Sequence, residues 1–155
     1  MQPRIDYTQV SPDALKTMRN MEAYLAKCGL ERPLIYLIKM RASQINGCAY
    51  CLDMHSKEAR AAGETEQRLY TLDAWRETPF YTARERAALA WTETLTRIAE
   101  SHAPDDVYQE ACAQFSETEL VDLTLAVVAI NGWNRIAIGF RTEPGTYRPG
   151  VRARL

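Results

Sequence analysis

Two cysteines and a histidine fall within eight residues of this chain, in the stretch Asn46-Gly47-Cys48-Ala49-Tyr50-Cys51-Leu52-Asp53-Met54-His55. If the stretch is helical, Cys48 and Cys51 are three residues apart and His55 lies four residues beyond Cys51. At 3.6 residues per turn, the three side chains then share one face over two turns. Two such thiols can close a disulfide, and an imidazole can accept or return a proton. The spacing therefore predicts a thiol redox site.

Each sulfur of this pair has a neighbour that can activate it. The thiolate is the nucleophilic form of cysteine, and a free cysteine is mostly protonated at neutral pH. Cys48 would lie in the first turn of the predicted helix, where unpaired N–H groups and the helix dipole favour an anion. Cys51 would lie one turn before His55, which can deprotonate it. Position alone does not rank the two sulfurs. Oxidation of either would be resolved by the other as a disulfide, which needs an electron donor to reset it.

Zinc binding and inert packing are the alternatives for these residues. A structural zinc site needs four ligands and the motif supplies three, so the fourth would come from Cys28, His102 or Cys112. Covalent haem attachment requires the histidine directly after the second cysteine, where this chain has Leu52. Cys28 and Cys112 each stand alone on an apolar stripe, which favours packing, and His102 ends a helix, which favours capping. We expect no metal and no cofactor.

The composition is that of an ordinary soluble globular protein. The chain has 155 residues, 46% of them hydrophobic and 25% charged, with a formal net charge of -1. This mixture gives no electrostatic basis for binding nucleic acid or an anionic membrane. The N-terminus lacks the basic and apolar regions of a signal peptide, and the most apolar run, 120–130, is short for a membrane span and contains Asp122. Because a CxxC pair without an export signal is typical of catalytic or metal sites, we expect a cytoplasmic protein.

Apolar spacing and helix caps predict an all-α fold in one domain. A first helix starts at Ser11-Pro12 and stops at Gly29, and a second runs from Pro33 to Asn46-Gly47. No run alternates with a period of two residues, and no glycine-rich phosphate loop is present. Further helices are predicted for the motif (about 48–62), for 65–78, for 83–101 after a capping box at Thr82, for 104–115, and for 117–130 after a capping box at Ser116.

Two further predictions concern the end of the chain. The helix from 117 is apolar nearly all round, which predicts burial in the core or in a subunit interface, and Asn131-Gly132 marks a weak point before helix resumes over 133–140. This apolar helix also contains a patch of polar and aromatic residues, which we interpret as a packing or interface feature: Asn131, Trp133, Asn134 and Arg135. From 141 onward, two Pro-Gly pairs and four arginines predict a loop or arm: Arg141, Arg148, Arg152 and Arg154.

The segment from Arg41 to His55, with Cys-x-x-Cys-x-x-x-His directly after Asn-Gly, resembles the core of the AhpD-like alkylhydroperoxidases of the carboxymuconolactone decarboxylase superfamily. The resemblance extends over 62–64, 75–76 and 85–93, and so covers the middle of the chain, about 33–100. It implies an all-helical domain, reduction of hydroperoxides at the expense of a dithiol or protein reductant, and homo-oligomers, commonly trimers or hexamers. It also implies that Cys51 attacks the peroxide, that Cys48 resolves, and that His55 belongs to a proton relay.

One position departs from that family. Its best-studied members place a relay glutamate twelve residues before the first cysteine, where this chain has Tyr36. Similar single-domain members carry a glutamate on the helix after the motif, and Glu93 fits that position. We therefore predict that Glu93 is partly buried and pairs with His55 or the thiols. The alternative is that Glu93 is a solvated helix residue, as most carboxylates are. Tyr50 is expected to line the access path.

Three functions are compatible with these residues. The first is a peroxidase that reduces hydroperoxides through a Cys48–Cys51 disulfide, with His55 as the relay base. The second is a non-catalytic redox sensor or oligomeric binding protein that uses the same disulfide as a switch. The third is a carboxymuconolactone decarboxylase. The intact cysteine pair argues against the third, because that chemistry does not need two thiols.

Overall fold

The computed structural model describes residues 2–150, and every regular element in that range is helical, which confirms the all-α prediction. A 3-10 helix, Leu72–Glu77, lies between the fifth and sixth α-helices. The α-helices of the described range are α1 (Tyr7–Val10), α2 (Pro12–Leu25), α3 (Arg32–Asn46), α4 (Ala49–Ala61), α5 (Glu66–Tyr70), α6 (Ala83–Thr96), α7 (Ile98–Ser101), α8 (Asp105–Cys112) and α9 (Glu117–Phe140).

Local sequence signals set the starts of several helices. Both predicted capping boxes are present, one formed by Thr82 and Glu85 and the other by Ser116 and Glu119. In each box, the side chain of either residue bonds the backbone N–H of the other. Ser11 precedes α2 as predicted, although its side chain makes no capping hydrogen bond. The predicted starts of α2, α6 and α9 are therefore confirmed.

Two helices end earlier than their apolar patterns predict. α2 stops at Leu25, before Gly29, because the Lys27 N–H bonds the carbonyl of Tyr24 three residues back and tightens the last turn. The predicted helix 83–101 is divided into α6 and α7 at Arg97, whose φ of -106° and ψ of 38° are not helical. Neither difference affects the position of the motif, which lies where α3 meets α4.

The longest helix, α9, passes through Asn131-Gly132 without a break, so the predicted weak point is wrong. The Asn131 side chain donates to the Thr96 hydroxyl at 3.0 Å and to the Val127 carbonyl of its own helix. Gly132 lets α2 approach, because a Cβ at this position would lie 2.8 Å from Cε of Met18. With 24 residues, α9 exceeds the apolar run seen in the sequence. It is long and apolar enough to cross a membrane by length and composition, and 44% of its most apolar window is buried inside the protein.

Within residues 2–150, the buried hydrophobic residues form three groups. The largest joins α2, α3, α6, α8 and α9 around side chains such as Ile38 and Leu123, and a second joins α3, α6 and the 3-10 helix around Leu72. Burying a leucine or isoleucine fully contributes roughly 1.5–3 kcal/mol. The third group is small and lies between α3, α4 and α9: Ala42, Cys48, Cys51, Ile130 and Ala137. These three helices therefore position the motif.

The chain beyond α9 folds back along α4, and we call residues 142–150 the C-terminal segment. The Gly145 N–H donates to Oδ2 of Asp53 at 2.9 Å, and the Tyr147 hydroxyl donates to Oε1 of Glu58 at 2.8 Å. The predicted loop or arm is thus confirmed as far as residue 150. Arg152 and Arg154 lie outside the described residues.

Candidate active site

The motif begins at a tight turn between α3 and α4. Gly47 has a φ of 66°, the left-handed conformation that favours glycine, and the Cys48 N–H bonds the Ser43 carbonyl at 3.0 Å. The Asn46 amide donates to Oδ1 of Asn134 at 2.8 Å, and the Asn134 amide donates to the Ser43 hydroxyl at 3.1 Å. The Asn-Gly pair therefore ties the end of α3 to α9 and fixes the start of α4.

Cys48 and Cys51 form a disulfide at the start of α4, with 5.3 Å between their Cα atoms. Cys48 is the N-cap residue, one position before the predicted first turn, and its Sγ accepts the Cys51 N–H at 3.3 Å. Both residues are buried, with 1% and 2% of their surface exposed. In the reduced protein, the N-cap position stabilises a Cys48 thiolate at the positive end of the helix dipole.

His55 lies one turn beyond Cys51 on α4 and is 3% exposed. Its Nδ1 is 2.9 Å from Oε2 of Glu58, one turn further along. Because an ionised carboxylate only accepts hydrogen bonds, Nδ1 carries the proton and Nε2 keeps its lone pair. The other oxygen of Glu58 accepts the Tyr147 hydroxyl at 2.8 Å. A chain of tyrosine, glutamate and histidine thus runs from the C-terminal segment towards the disulfide.

Burial and hydrogen bonding set the charges of this chain. Burial lowers the pKa of His55 below its usual 6.5, although Glu58 opposes the shift by favouring the protonated ring. Burial raises the pKa of Glu58, but the hydrogen bonds from His55 and Tyr147 outweigh that effect and the net shift is downward. Burial and the Glu58 carboxylate raise the pKa of Tyr147, which keeps its hydroxyl protonated. At neutral pH the site therefore holds a neutral imidazole beside a carboxylate, and such a ring can take a proton from a thiol.

Cys51 and His55 line one cavity of about 490 Å³, which we call the Cys51 cavity. Its volume is in the range of small-molecule sites. On its wall, the buried Lys39 binds Oε2 of Glu22 at 2.6 Å, and Nε1 of Trp133 donates to the other oxygen of Glu22 at 3.1 Å. The rest of the lining includes Tyr50, as expected, and comes from Tyr7, Arg19, Tyr50, Met54, Glu58, Ala137, Tyr147 and Gly150.

Glu93 is buried, but it does not pair with His55. Its carboxylate accepts hydrogen bonds from Nε of Arg41 at 2.7 Å, from Nε1 of Trp75 at 2.9 Å and from Arg76. Burial raises the pKa of Glu93, and these three donors lower it by more, so the carboxylate stays ionised. The predicted pairing with His55 is therefore wrong, because two arginines and an indole hold the Glu93 side chain in another part of the interior.

The carboxylate that contacts His55 is that of Glu58, which lies near Tyr36. The two side chains line one cleft together with Lys39, so the carboxylate comes from α4 where the family pattern takes it from α3. Sequence reasoning missed Glu58, although side chains three residues apart on a helix are neighbours, and Glu58 follows His55 by three. Tyr147 had no comparable signal, because it reaches Glu58 across 89 residues of sequence.

The other residues considered from the sequence lie elsewhere. Cys28 is half-buried and donates to the Leu25 carbonyl at 3.1 Å, whereas Cys112 is exposed, contrary to the packing predicted for it. His102 follows the last residue of α7 with a left-handed φ of 51°. Within residues 2–150, no group of three or more His, Cys, Asp or Glu side chains is arranged to hold a metal ion.

Comparison with known proteins relates this geometry to a family. The model of the carboxymuconolactone decarboxylase family matches residues 12–94. The uncharacterized protein YdfG of Bacillus subtilis (strain 168) is 44% identical over 138 residues, which are 89% of this chain and 94% of YdfG.

Solved structures agree with this relationship. ATU0492 from Agrobacterium tumefaciens, a protein of unknown function suggested to be the antioxidant defence protein AhpD, has a TM-score of 0.91 at 49% identity, over 94% of this chain and 100% of its own. An uncharacterized peroxidase-related protein from Silicibacter sp. TM1040 shares the fold, with a TM-score of 0.77 at 23% identity over 88% of this chain and 72% of its own. The family match and the high identity to YdfG and ATU0492 show that the chain belongs to the carboxymuconolactone decarboxylase family, among its AhpD-like members.

Proposed function

We propose that this protein reduces hydroperoxides, with Cys51 as the attacking sulfur and Cys48 as the resolving one. The observation that carries the proposal is that Cys51 shares a cavity with a neutral His55 polarised by Glu58. Cys48 is not among the described residues that line that cavity, although its sulfur is bonded to that of Cys51. The sulfur that meets the substrate is then the one beside the base.

The reaction starts from the dithiol form. His55 takes the proton of the Cys51 thiol through Nε2, and the thiolate attacks the terminal oxygen of the hydroperoxide. The O–O bond breaks, the alkoxide takes the proton back from His55 and leaves as the alcohol, and Cys51 becomes a sulfenic acid. The Cys48 thiol then loses its proton and attacks the Cys51 sulfur, and the S–O bond breaks as the leaving hydroxide takes up that proton and departs as water. Two thiols and one hydroperoxide thus give a disulfide, an alcohol and water.

Glu58 serves the relay by stabilising the protonated ring. When His55 accepts the thiol proton, its Nδ1–H bond to the carboxylate becomes a bond between opposite charges, which is stronger than its neutral counterpart. Tyr147 holds the second oxygen of Glu58 and so fixes the plane of the carboxylate. In this proposal Glu58 performs the role that the family resemblance suggested for Glu93.

Single-turnover oxidation tests the proposal. The fully reduced protein is mixed with one equivalent of cumene hydroperoxide, and the free thiols and the alcohol are both measured. We expect the loss of two thiols for each alcohol formed. Cys51→Ser should form no alcohol, whereas Cys48→Ser should form one alcohol and leave a sulfenic acid that dimedone traps on Cys51. Cys112→Ser, at an exposed cysteine outside the site, is the matched control and should behave like the unchanged protein.

The results also separate the alternatives. If Cys51→Ser kept the full rate of alcohol formation, the assignment of the attacking sulfur would be wrong. Disulfide formation with negligible turnover in the presence of excess dithiol would favour a redox switch. A carboxymuconolactone decarboxylase would keep its activity in the double variant of Cys48 and Cys51, because that reaction does not need the thiols.

Assembly and location are part of the same proposal. We propose a homo-oligomer, a trimer or hexamer, acting in the cytoplasm. Val121 and Val128 support the oligomer, because they lie seven residues apart on one side of α9 and are 68% and 52% exposed. Analytical ultracentrifugation at micromolar concentration checks it, and a monomer at every concentration would contradict it.

A further inference from the structure

A second cleft is lined by the other cysteine of the disulfide. It has a volume of about 480 Å³, and its lining includes Cys48, Tyr50, Ile138 and one side chain of each charge, Arg141 and Glu143. We call it the Cys48 cleft. Among the described residues, Cys51 is not part of its lining, just as Cys48 is not part of the lining of the Cys51 cavity. Each cysteine of the pair therefore lines a different opening.

The two openings share a wall. Tyr50 and Ala137 line both of them; Ala137 belongs to the buried group that contains the disulfide, and Tyr50 packs against that group. One tyrosine and one alanine next to the disulfide are thus common to the two openings. A molecule in the Cys51 cavity and a molecule in the Cys48 cleft would occupy different spaces next to these two residues.

We propose that the Cys48 cleft is the entry site for a low-molecular-weight thiol that resets the disulfide by attacking Cys48. The inference deepens the proposed function and rests on it for its physiological purpose, since a peroxide-reducing cycle needs two electrons for each turnover. The hydroperoxide would use the Cys51 cavity and the reductant the Cys48 cleft.

Size and electrostatics favour this cleft for the reductant. About 480 Å³ is the volume of a small-molecule site, which fits a thiol compound of low mass. The attacking species is a thiolate, and the cleft lies at the N-terminus of the 13-residue helix α4, where the helix dipole favours an anion. The Cys51 cavity is lined by the carboxylates of Glu22 and Glu58 and by the cations of Arg19 and Lys39, so its side-chain charges balance and do not by themselves favour an anion.

The exchange balances in two steps. A thiolate attacks the Cys48 sulfur, the bond between Cys48 and Cys51 breaks, and Cys51 leaves as a thiolate that takes up a proton in the cavity that holds His55. A second thiol, or the second arm of a dithiol, then attacks the sulfur bound to Cys48. It releases the oxidised reductant and the Cys48 thiol. Attack on Cys48 therefore releases Cys51 as a free thiol in the same cavity as its base, His55.

Mapping of the mixed disulfide tests which sulfur is attacked. The disulfide form, prepared with diamide, is exposed briefly to 2-mercaptoethanol and quenched with N-ethylmaleimide. Trypsin releases both cysteines in the peptide 42–57, and fragmentation between positions 48 and 51 locates each adduct. We expect mercaptoethanol on Cys48 and maleimide on Cys51. The reverse distribution, or equal labelling of both sulfurs, would overturn the proposal.

Closing the cleft provides a second, independent measurement. Ile138 is 46% exposed and lines only the Cys48 cleft, so Ile138→Trp should fill that cleft without entering the Cys51 cavity. We expect the rate of disulfide reduction by dithiothreitol to fall about tenfold or more, because exchange depends on access to the sulfur. Ile98→Trp, at an isoleucine that is 48% exposed and lies outside both openings, is the control and should leave the rate unchanged. An unchanged rate in Ile138→Trp would overturn the proposal.

The outcome of these two measurements does not depend on whether the proposed function is correct. Both measurements start from a disulfide made with diamide, so they give an answer even if the protein reduces no hydroperoxide. Conversely, single-turnover oxidation of reduced Ile138→Trp by cumene hydroperoxide should keep the rate of the unchanged protein. Loss of that rate together with the reduction rate would mean that the two openings are not independent, and would also overturn the proposal.

Discussion

Replacing Glu58 by glutamine removes the charge behind His55 while keeping the shape of the side chain. The glutamine oxygen can still accept the Nδ1–H at the 2.9 Å observed for the carboxylate, so the tautomer of His55 is kept. What is lost is the stabilisation of the protonated ring. A hydrogen bond to a charged group contributes about 1.5–3 kcal/mol, and 1.4 kcal/mol is a factor of ten in rate, so Cys51 oxidation should slow roughly 10- to 100-fold.

The assay is single-turnover oxidation of the reduced variant by cumene hydroperoxide, followed by stopped-flow tryptophan fluorescence between pH 5 and 8. Because Glu58 raises the pKa of His55 against the effect of burial, its neutralisation should lower that pKa further. The acid limb of the rate profile should therefore move to lower pH while the plateau falls. Glu77→Gln, an exposed glutamate outside the site, is the matched control and should change neither.

If a folded Glu58→Gln protein kept the plateau rate of Cys51 oxidation, the reasoning would be refuted, because His55 would then act as a base without the charge of Glu58. A lower plateau with an acid limb that moves to higher pH would also refute it. In that case the variant would have changed something other than the charge next to His55.

Three further outcomes follow from the contacts described above. Tyr147→Phe removes one hydrogen bond from Glu58 and should slow peroxide reduction about two- to tenfold, whereas Tyr70→Phe, at a side chain that is 76% exposed, should not. Glu93→Gln leaves the Arg41 guanidinium without its buried partner and should lower the free energy of unfolding in urea by about 3 kcal/mol, with the rate constant of Cys51 oxidation unchanged. Because burial lowers the pKa of His55 in the folded state, the stability contributed by its neutral ring is present above the unfolded value near 6.5 and is lost as the pH falls through the folded pKa. Urea titrations at about pH 7.5 and pH 5.5 should therefore differ less for His55→Asn than for the unchanged protein.

The helices were predictable where their determinants are local. A capping box spans four residues, and the apolar stripe of a helix repeats every three or four, so Thr82 and Ser116 could be identified from the sequence as starts. The continuity of α9 could not be predicted, because Asn131-Gly132 resembles a break until Thr96 and Met18 come into contact with it. These contacts come from other helices, and no property of the segment itself indicates them.

The same distinction applies to the site. Cys48, Cys51 and His55 lie within two turns of one helix, so spacing alone was enough to place them together. Glu93 was misplaced because its environment is set by Arg41, which is 52 residues away in sequence. The same spacing argument could also have identified Glu58. The family pattern places the relay carboxylate on a neighbouring helix, whereas Glu58 lies on α4 itself.

Both ends of the described chain belong to the wall of the Cys51 cavity. Tyr7, from the first helix, and Tyr147, from the C-terminal segment, both line it, and the Arg4 N–H bonds the Phe140 carbonyl at the end of α9. Segments at chain ends are the parts of a fold that detach at the lowest free energy. Detachment of either terminal segment is therefore expected to widen the Cys51 cavity at a lower free energy than it takes to open the buried group that holds the disulfide. A fusion partner or a proteolytic cut at either end is expected to change access to the Cys51 cavity before it affects the core.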